Sequence, residues 1–379
     1  MPPFAPNTEA AILARGAGVL GLSTGPVPLL INSVPRDGRA QCVRCGECVG
    51  FACPSDAKNG TFNALIPRAV ASASCDLATN ARAVQITADN NGVVRGVQFI
   101  DETTTQARTI EARHVVVSCG AIESARLLLA SRSPCHPEGL GNHHDQVGRN
   151  LQGHLYVGAF GLFDEPVIDM DGPGVSIASC DYNHDLDGVI GGGVLANEVI
   201  KLPILHWYWA LPSGMRRWGV EGKHVMRDSY RRTSHLNGPV QEIPNPNMRV
   251  TLDATITDRH NVPVARLSGR LHRESVRAAH ALRAKAAAWM HASGARDVWT
   301  TPISGALTAG QHQAGTCRMG IDPATSVADA FGRVHGHENL WVMDASLHVT
   351  NGGFNPVLTI YALAFRCAEH LAATDGGRG

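Results

Sequence analysis

With 379 residues, 33 Lys plus Arg against 33 Asp plus Glu, and 40 glycines with 21 prolines, the chain can bury the core of two domains or of one interrupted domain. Its balanced charge leaves no field to draw nucleic acid or an anionic membrane surface, and the scattered glycines and prolines mark the tight turns of an enzyme-like globule, not a repeat array. No apolar run approaches the roughly 18 residues of a membrane span, and MPPFAPNTEAAILARGAG lacks the order of a secretory signal, so a soluble, cytoplasmic protein without disulfides is expected.

In chain order, TEAAILAR (8–15) predicts a helix capped by Asn7 or Thr8, followed by GAGVLG. That hexamer matches G-x-G-x-x-G but has a helix, not a strand, before it and only PRDGRAQ where an acidic residue belongs. It reads as a helix end with glycine stops. Next, CVRCGECVGFACPSDAKNGT sets Cys42, Cys45, Cys48 and Cys53 within twelve positions. The first three imitate a ferredoxin run, while the last gap is one residue too long. An iron–sulfur cluster, a zinc ion and four thiols without metal are all open readings, and the last leads. The other six cysteines read as buried thiols.

From Asn63, short β-rich runs alternate with turn signals such as NNG. RHVVVSCGAIESARLLLASR then reads as a buried strand, a glycine turn and a helix, a geometry that aims backbone N–H groups at a phosphate or a flavin. The middle holds three probable strands (LYVGAFGLF, GVSIASCDY, MRVTLDATI) and a polar tract at 222–238. It closes on a helical run, HRESVRAAHALRAKAAAWMHASG, with Val276, Leu282, Ala286 and Met290 on one face. Trp207, Tyr208, Trp209 and Trp218 crowd one segment; sugar stacking, a lid and packing under a loop all suit such rings. In the last stretch a histidine in a small-residue loop precedes the strand NLWVMDAS, a Gly-Gly turn, and an Asn-Pro opening the final helix.

HQAGTCRMG, the spacing to SVAD and GRVHG, NLWVMDASLHVT and GGFNPVLTIYALAFRCAEHL resemble the carboxy-terminal signature of glucose–methanol–choline (GMC) flavoprotein oxidoreductases. NPNMRVTLDATITDRHNVPVARL, VVVSCGAIESARLLLAS and VGRNLQGH resemble its middle motifs. The cysteine stretch resembles a segment of its cholesterol-oxidase-like and long-chain-alcohol-oxidase-like branches. The resemblance implies a mixed α+β and α/β chain. Residues 1–62 form an amino-terminal segment with the cysteine loop, 63–154 part of an FAD-binding domain, 155–305 a mainly antiparallel substrate domain, and 306–379 the return of the FAD domain. Nothing matches the family's opening G-x-G-x-x-G. The resemblance therefore implies an ADP-binding segment supplied by a separate polypeptide, a start further upstream, or a different way of holding flavin.

By the same resemblance, His312 is the general base and Asn355 the second active-site residue, its amide donating to the alcohol oxygen. Asp344 and Ala345 would lie near the flavin's ribityl–pyrophosphate, Val84 near adenine, Gly120 and Ala121 at the strand-to-helix turn, and Asn355 with Pro356 near the isoalloxazine. His348 and His154 read as false alarms. The expected activity is FAD-dependent oxidation of an alcohol group of a sugar, polyol or glycoside. A non-catalytic GMC-fold binding subunit and an iron–sulfur electron-transfer subunit are the alternatives.

Overall fold

The computed structural model describes residues 1–198 and 202–375. The first helix, α1 (Thr8–Leu20), begins as expected: Asn7 stays extended and its side-chain oxygen accepts the Ala10 N–H at 2.9 Å, satisfying one of the amides that lack an intrahelical partner. It runs on past Arg15, through Gly16 and Gly18, and stops at Gly21 in the left-handed region, φ 70°. A Cβ on Gly16 would come within 2.1 Å of Ser293 Oγ, so this glycine permits close packing. GAGVLG is the second half of a helix and no phosphate loop.

Three strands follow as an antiparallel meander: β1 (Ala81–Ala88), β2 (Val94–Asp101) and β3 (Gln106–Glu111). The NNG signal is the β1–β2 turn, with Gly92 at φ 80°. In β1, Ala83 faces Phe99 and Gln85 faces Gln98, which leaves Val84 as an unpaired bulge residue in the ladder. Strand β4 (Val115–Val117) and helix α2 (Ala121–Ala130) meet at Gly120, φ 81°, the strand–turn–helix read from the sequence.

In the middle, β5 (Leu155–Leu162) matches its prediction, while GVSIASCDY contributes only β6 (Ala178–Ser179), which pairs with β7 (Leu195–Asn197). The polar tract 222–238 folds as α3 (Gly219–Ser229) and most of β8 (Thr233–Val240). Although polar in sequence, Thr233, Ser234 and His235 are buried there. Burial is tolerable because the hydroxyls find acceptors, Ser234 on Glu9 at 2.6 Å and Thr233 on the Ser229 carbonyl at 2.9 Å. The hairpin β9 (Arg249–Thr257) and β10 (Pro263–Ser268) leads into α4 (Arg273–Ala292), where Leu282, Ala286 and Met290 are buried as the periodicity predicts. Trp289 joins them and donates its indole N–H to the Leu13 carbonyl at 2.8 Å. Strands β11 (Asp297–Thr300) and β12 (Leu340–Val342) and helix α5 (Val357–Asp375) follow.

The chain divides into two compact units: residues 1–77, 156–240 and 277–303, and residues 78–155, 241–276 and 304–379. The first is built on a five-stranded sheet ordered β11-β5-β8-β7-β6, with antiparallel pairing at β11–β5, β8–β7 and β7–β6. The second holds the meander, the β9–β10 hairpin and the parallel pair β12–β4. Leu128, Leu140, Val147, Leu151, Val250, Leu340 and Val342 form its dry centre, each worth about 1.5–3 kcal/mol of transfer from water. Residues 241–276 thus group with 78–155 and 304–379, whereas the sequence pattern places 155–305 together. Among the described residues no helix is long and apolar enough to cross a membrane.

Candidate active site

Two distant loops of the second unit pair antiparallel at one point. Gln152 and Ala314 face each other and exchange both backbone hydrogen bonds at 2.9 Å. Two residues outward, antiparallel register sets 154 opposite 312. The structure has His154 Nδ1 and His312 Nδ1 2.8 Å apart, with the rings edge-on at 83°. Gly153 permits this approach, since a Cβ there would meet the Thr308 carbonyl oxygen at 2.0 Å.

His312 itself has φ 54°, a left-handed conformation costing a non-glycine residue about 1–3 kcal/mol. Asn351 holds it there, donating from Nδ2 to the His312 carbonyl at 2.7 Å while its own N–H donates to Gln152 Oε1 at 3.0 Å. His348 Nδ1 lies 3.2 Å from Asn351 Oδ1 and helps to orient the carboxamide. Glu242 works from the other side, accepting the Gly153 N–H at 3.1 Å and the Thr308 hydroxyl. Burial pushes the Glu242 carboxyl above its usual range, and these two donors, with the Leu155 backbone, offset part of that.

The hydrogen bonds assign the tautomers. His154 Nε2 is 3.0 Å from the Gly352 carbonyl, which can only accept, so Nε2 carries a proton. Burial, with His312 as its neighbour, lowers the His154 pKa to about 4, so the ring is neutral near pH 7 and its Nδ1 accepts. His312 must then donate from Nδ1, which leaves its lone pair on Nε2. Burial also lowers the His312 pKa below the ordinary imidazole value.

The same loop is stitched to the ends of the parallel strands. The N–H groups of Gly315, Cys317 and Met319 donate to the carbonyls of Ala345, Ser346 and Leu347 at 3.0–3.1 Å. Asp344, after β12, accepts the Gly120 N–H at 2.9 Å, the Ser124 hydroxyl at 2.5 Å, and the Ser346 N–H and hydroxyl at 2.8 and 2.5 Å. Its carboxylate is therefore occupied in tying β12 to the β4–α2 turn, so any cofactor contact at 344–345 falls to backbone. The residues present fit a flavin in the way backbone can. Gly120 has open space within 4 Å of where a Cβ would stand, and Val84 keeps backbone groups outside the ladder.

Of the residues singled out from sequence, Gly120, Ala121, Asp344, Ala345 and His312 are joined in one hydrogen-bonded network, the Ala121 carbonyl accepting from the Thr316 hydroxyl at 2.6 Å. Asn355 has an exposed side chain three residues after Gly352, and Pro356 is buried just before α5, as a helix-opening proline should be. His154 and His348 both contact this network, one bonding His312 and the other Asn351. Glu242, Gln152 and Asn351 were not singled out. Only NLQGH, whose glycine precedes a histidine at a strand entry, carried a signal for this part of the site.

The cysteines behave differently. Cys42, Cys45, Cys48 and Cys53 line a small hollow with Ile31, Glu47 and Lys58, and two sulfurs accept backbone N–H groups, Cys42 from Arg44 and Cys53 from Ala57, each at 3.3 Å. Among the described residues, the single set of three or more His, Cys, Asp or Glu side chains with ligand atoms within 4.8 Å of one another lies elsewhere. The four cysteines thus surround one hollow without forming a set close enough to share a single ion. All ten cysteines are free, and Cys75, Cys119, Cys135 and Cys180 are exposed, against the expectation of buried thiols.

The fold is shared with a formate oxidase of Aspergillus oryzae RIB40, in a structure concerning the effect of a mutation on FAD modification. Its TM-score is 0.59 at 15% identity, over 97% of this chain and 71% of that one. The chain belongs to the GMC oxidoreductase family, whose amino- and carboxy-terminal models match residues 6–156 and 244–364. It is 33% identical to 6'''-hydroxyparomomycin C oxidase of Streptomyces lividus and 31% identical to paromamine 6'-oxidase of Streptomyces fradiae, over 98% of its own length in each case. It spans 66% of the length of both relatives.

Proposed function

We propose that this chain oxidises an alcohol group of a sugar-like or polyol substrate with FAD as electron acceptor and His312 as base. The observation that carries the proposal is the imidazole pair ending on the Gly352 carbonyl. It supports a neutral His312 with its lone pair on Nε2, the state needed to take a hydroxyl proton near neutral pH. A bound FAD supplies the hydride acceptor that no side chain provides. The chain's own residues then have three tasks. His312 takes the proton, His154 and Asn351 hold its ring and backbone, and Asn355, in the turn after Gly352, donates to the substrate oxygen. Backbone at Val84, Gly120, Ala121, Asp344, Ala345 and Pro356 would hold the flavin.

The substrate class rests on the two relatives, named as oxidases of 6'''-hydroxyparomomycin C and of paromamine. It is supported by the exposed rings of Tyr208, Trp209 and Trp218, which suit stacking on a sugar face. The central test is flavin bleaching by a panel of amino sugars, sugars and polyols under anaerobic conditions, in the parent chain and in His312→Ala. The variant should retain flavin and lose the reaction by about 10²–10⁴-fold; undiminished bleaching would remove His312 as base.

A further inference from the structure

We propose that His136, His143 and His337 form a binding site for a divalent transition metal of the zinc type, separate from the imidazole pair at 154 and 312. Each of the three offers a ligand atom within 4.8 Å of the others. His136 and His143 belong to the loop after α2, and His337 to the turn before β12. The ring centroids of His136 lie 5.4 Å from His143 and 4.9 Å from His337. In a tetrahedral zinc site, Zn–N bonds of about 2.0–2.1 Å put ligand nitrogens roughly 3.4 Å apart, so closing on an ion asks each ring to move by about an ångström.

Burial and hydrogen bonding point to a ligand. His136 and His337 are each only 6% exposed, yet His136 Nδ1 and His337 Nε2 have no hydrogen-bond partner among the described residues. A buried polar atom without a partner is destabilising, and a metal bond would offset that. The tautomer of His136 is already set for coordination: Nε2 lies 3.0 Å from the Gly92 carbonyl, so Nε2 donates and the lone pair sits on Nδ1. Metal-bound histidines habitually anchor their second nitrogen on such a carbonyl. Gly92 keeps that carbonyl close, since a Cβ in its place would stand 2.8 Å from His136 Nε2. His143 is exposed, giving an entry side and room for a water as fourth ligand. Three neutral nitrogen donors suit zinc, copper, nickel or cobalt over calcium or magnesium.

The ion would staple the β1–β2 turn, the loop after α2 and the approach to β12. That role needs no flavin and no turnover, so its test is independent of the proposed oxidation. Chelator-treated chain is titrated with Co²⁺ alone, following d–d absorption and the melting temperature, beside His143→Ala and His337→Asn. The expected result is one Co²⁺ per chain, without a thiolate charge-transfer band, with a raised melting temperature. Affinity should fall about 100-fold or more in either variant. His143 is at the surface, so its variant should fold like the parent. Equal affinity in parent and His143→Ala, a thiolate band as the sole signal, or no saturable binding would each overturn the site.

Discussion

Two stretches rich in chemistry behave in opposite ways. The cysteine loop brings four thiols together in sequence and around one small hollow, yet they form no set close enough to share a single ion. The histidine site draws its members from residues 152–154, 242, 312 and 348–352, and there they are buried or half-buried and interlocked. Local density of reactive residues is thus a poor guide to a working site. What matters is whether the backbone on both sides of each residue is held. The left-handed His312 is held by Asn351 and the 152–314 bridge. Among the four thiols, Cys42 and Cys53 receive backbone donors in their own loop and Cys48 one from Gly174.

The largest effect expected on this contrast is the loss in His312→Ala described above. Next comes Gly153→Ala. Its Cβ would overlap the Thr308 carbonyl at 2.0 Å, so the 152–314 pairing should open at a cost of about 1–3 kcal/mol. A lowered urea midpoint with unchanged m-value would show it; an unchanged midpoint would show that the close approach is not needed. His154→Phe keeps the bulk and removes the acceptor. Losing one hydrogen bond of about 1.4 kcal/mol should cut kcat roughly tenfold, with KM little changed and the acid limb of the pH profile displaced. An unmoved pH profile would reduce His154 to a packing residue.

Acid stability sharpens the same comparison. His154 and His206 have folded pKa values lowered to about 4 from an ordinary 6.5, chiefly by burial. Their unfolded forms take up protons first as pH falls. Stability should therefore be full above pH 6.5 and decline toward pH 4, levelling off once the folded form also protonates. Urea midpoints across that range check the sign, and a flat profile would contradict the burial of these rings. The smallest effect belongs to the cysteines: replacing Cys42, Cys45, Cys48 and Cys53 together by serine should change stability by about 0.5 kcal/mol or less per site and leave alcohol-driven flavin reduction intact.

Much of this was legible in the sequence where short-range patterns decide the structure. VVVSCGAIES gave a strand, a left-handed glycine and a helix, the periodicity of 273–292 gave a buried face, and NNG gave a hairpin. Strand β8 was obscured because its buried face is polar and its stability depends on a partner such as Glu9, far away in the chain. His312 stood out from its motif. His154, Asn351 and Glu242 did not, because their roles follow from a bridge between residues 152 and 314 that no local pattern announces.

The Gly352 carbonyl at the end of the imidazole pair has a further consequence. An amide oxygen has no proton to release at any pH where the chain is folded, so the pair is a wire with a closed end. A proton that reaches His154 therefore cannot leave through Gly352.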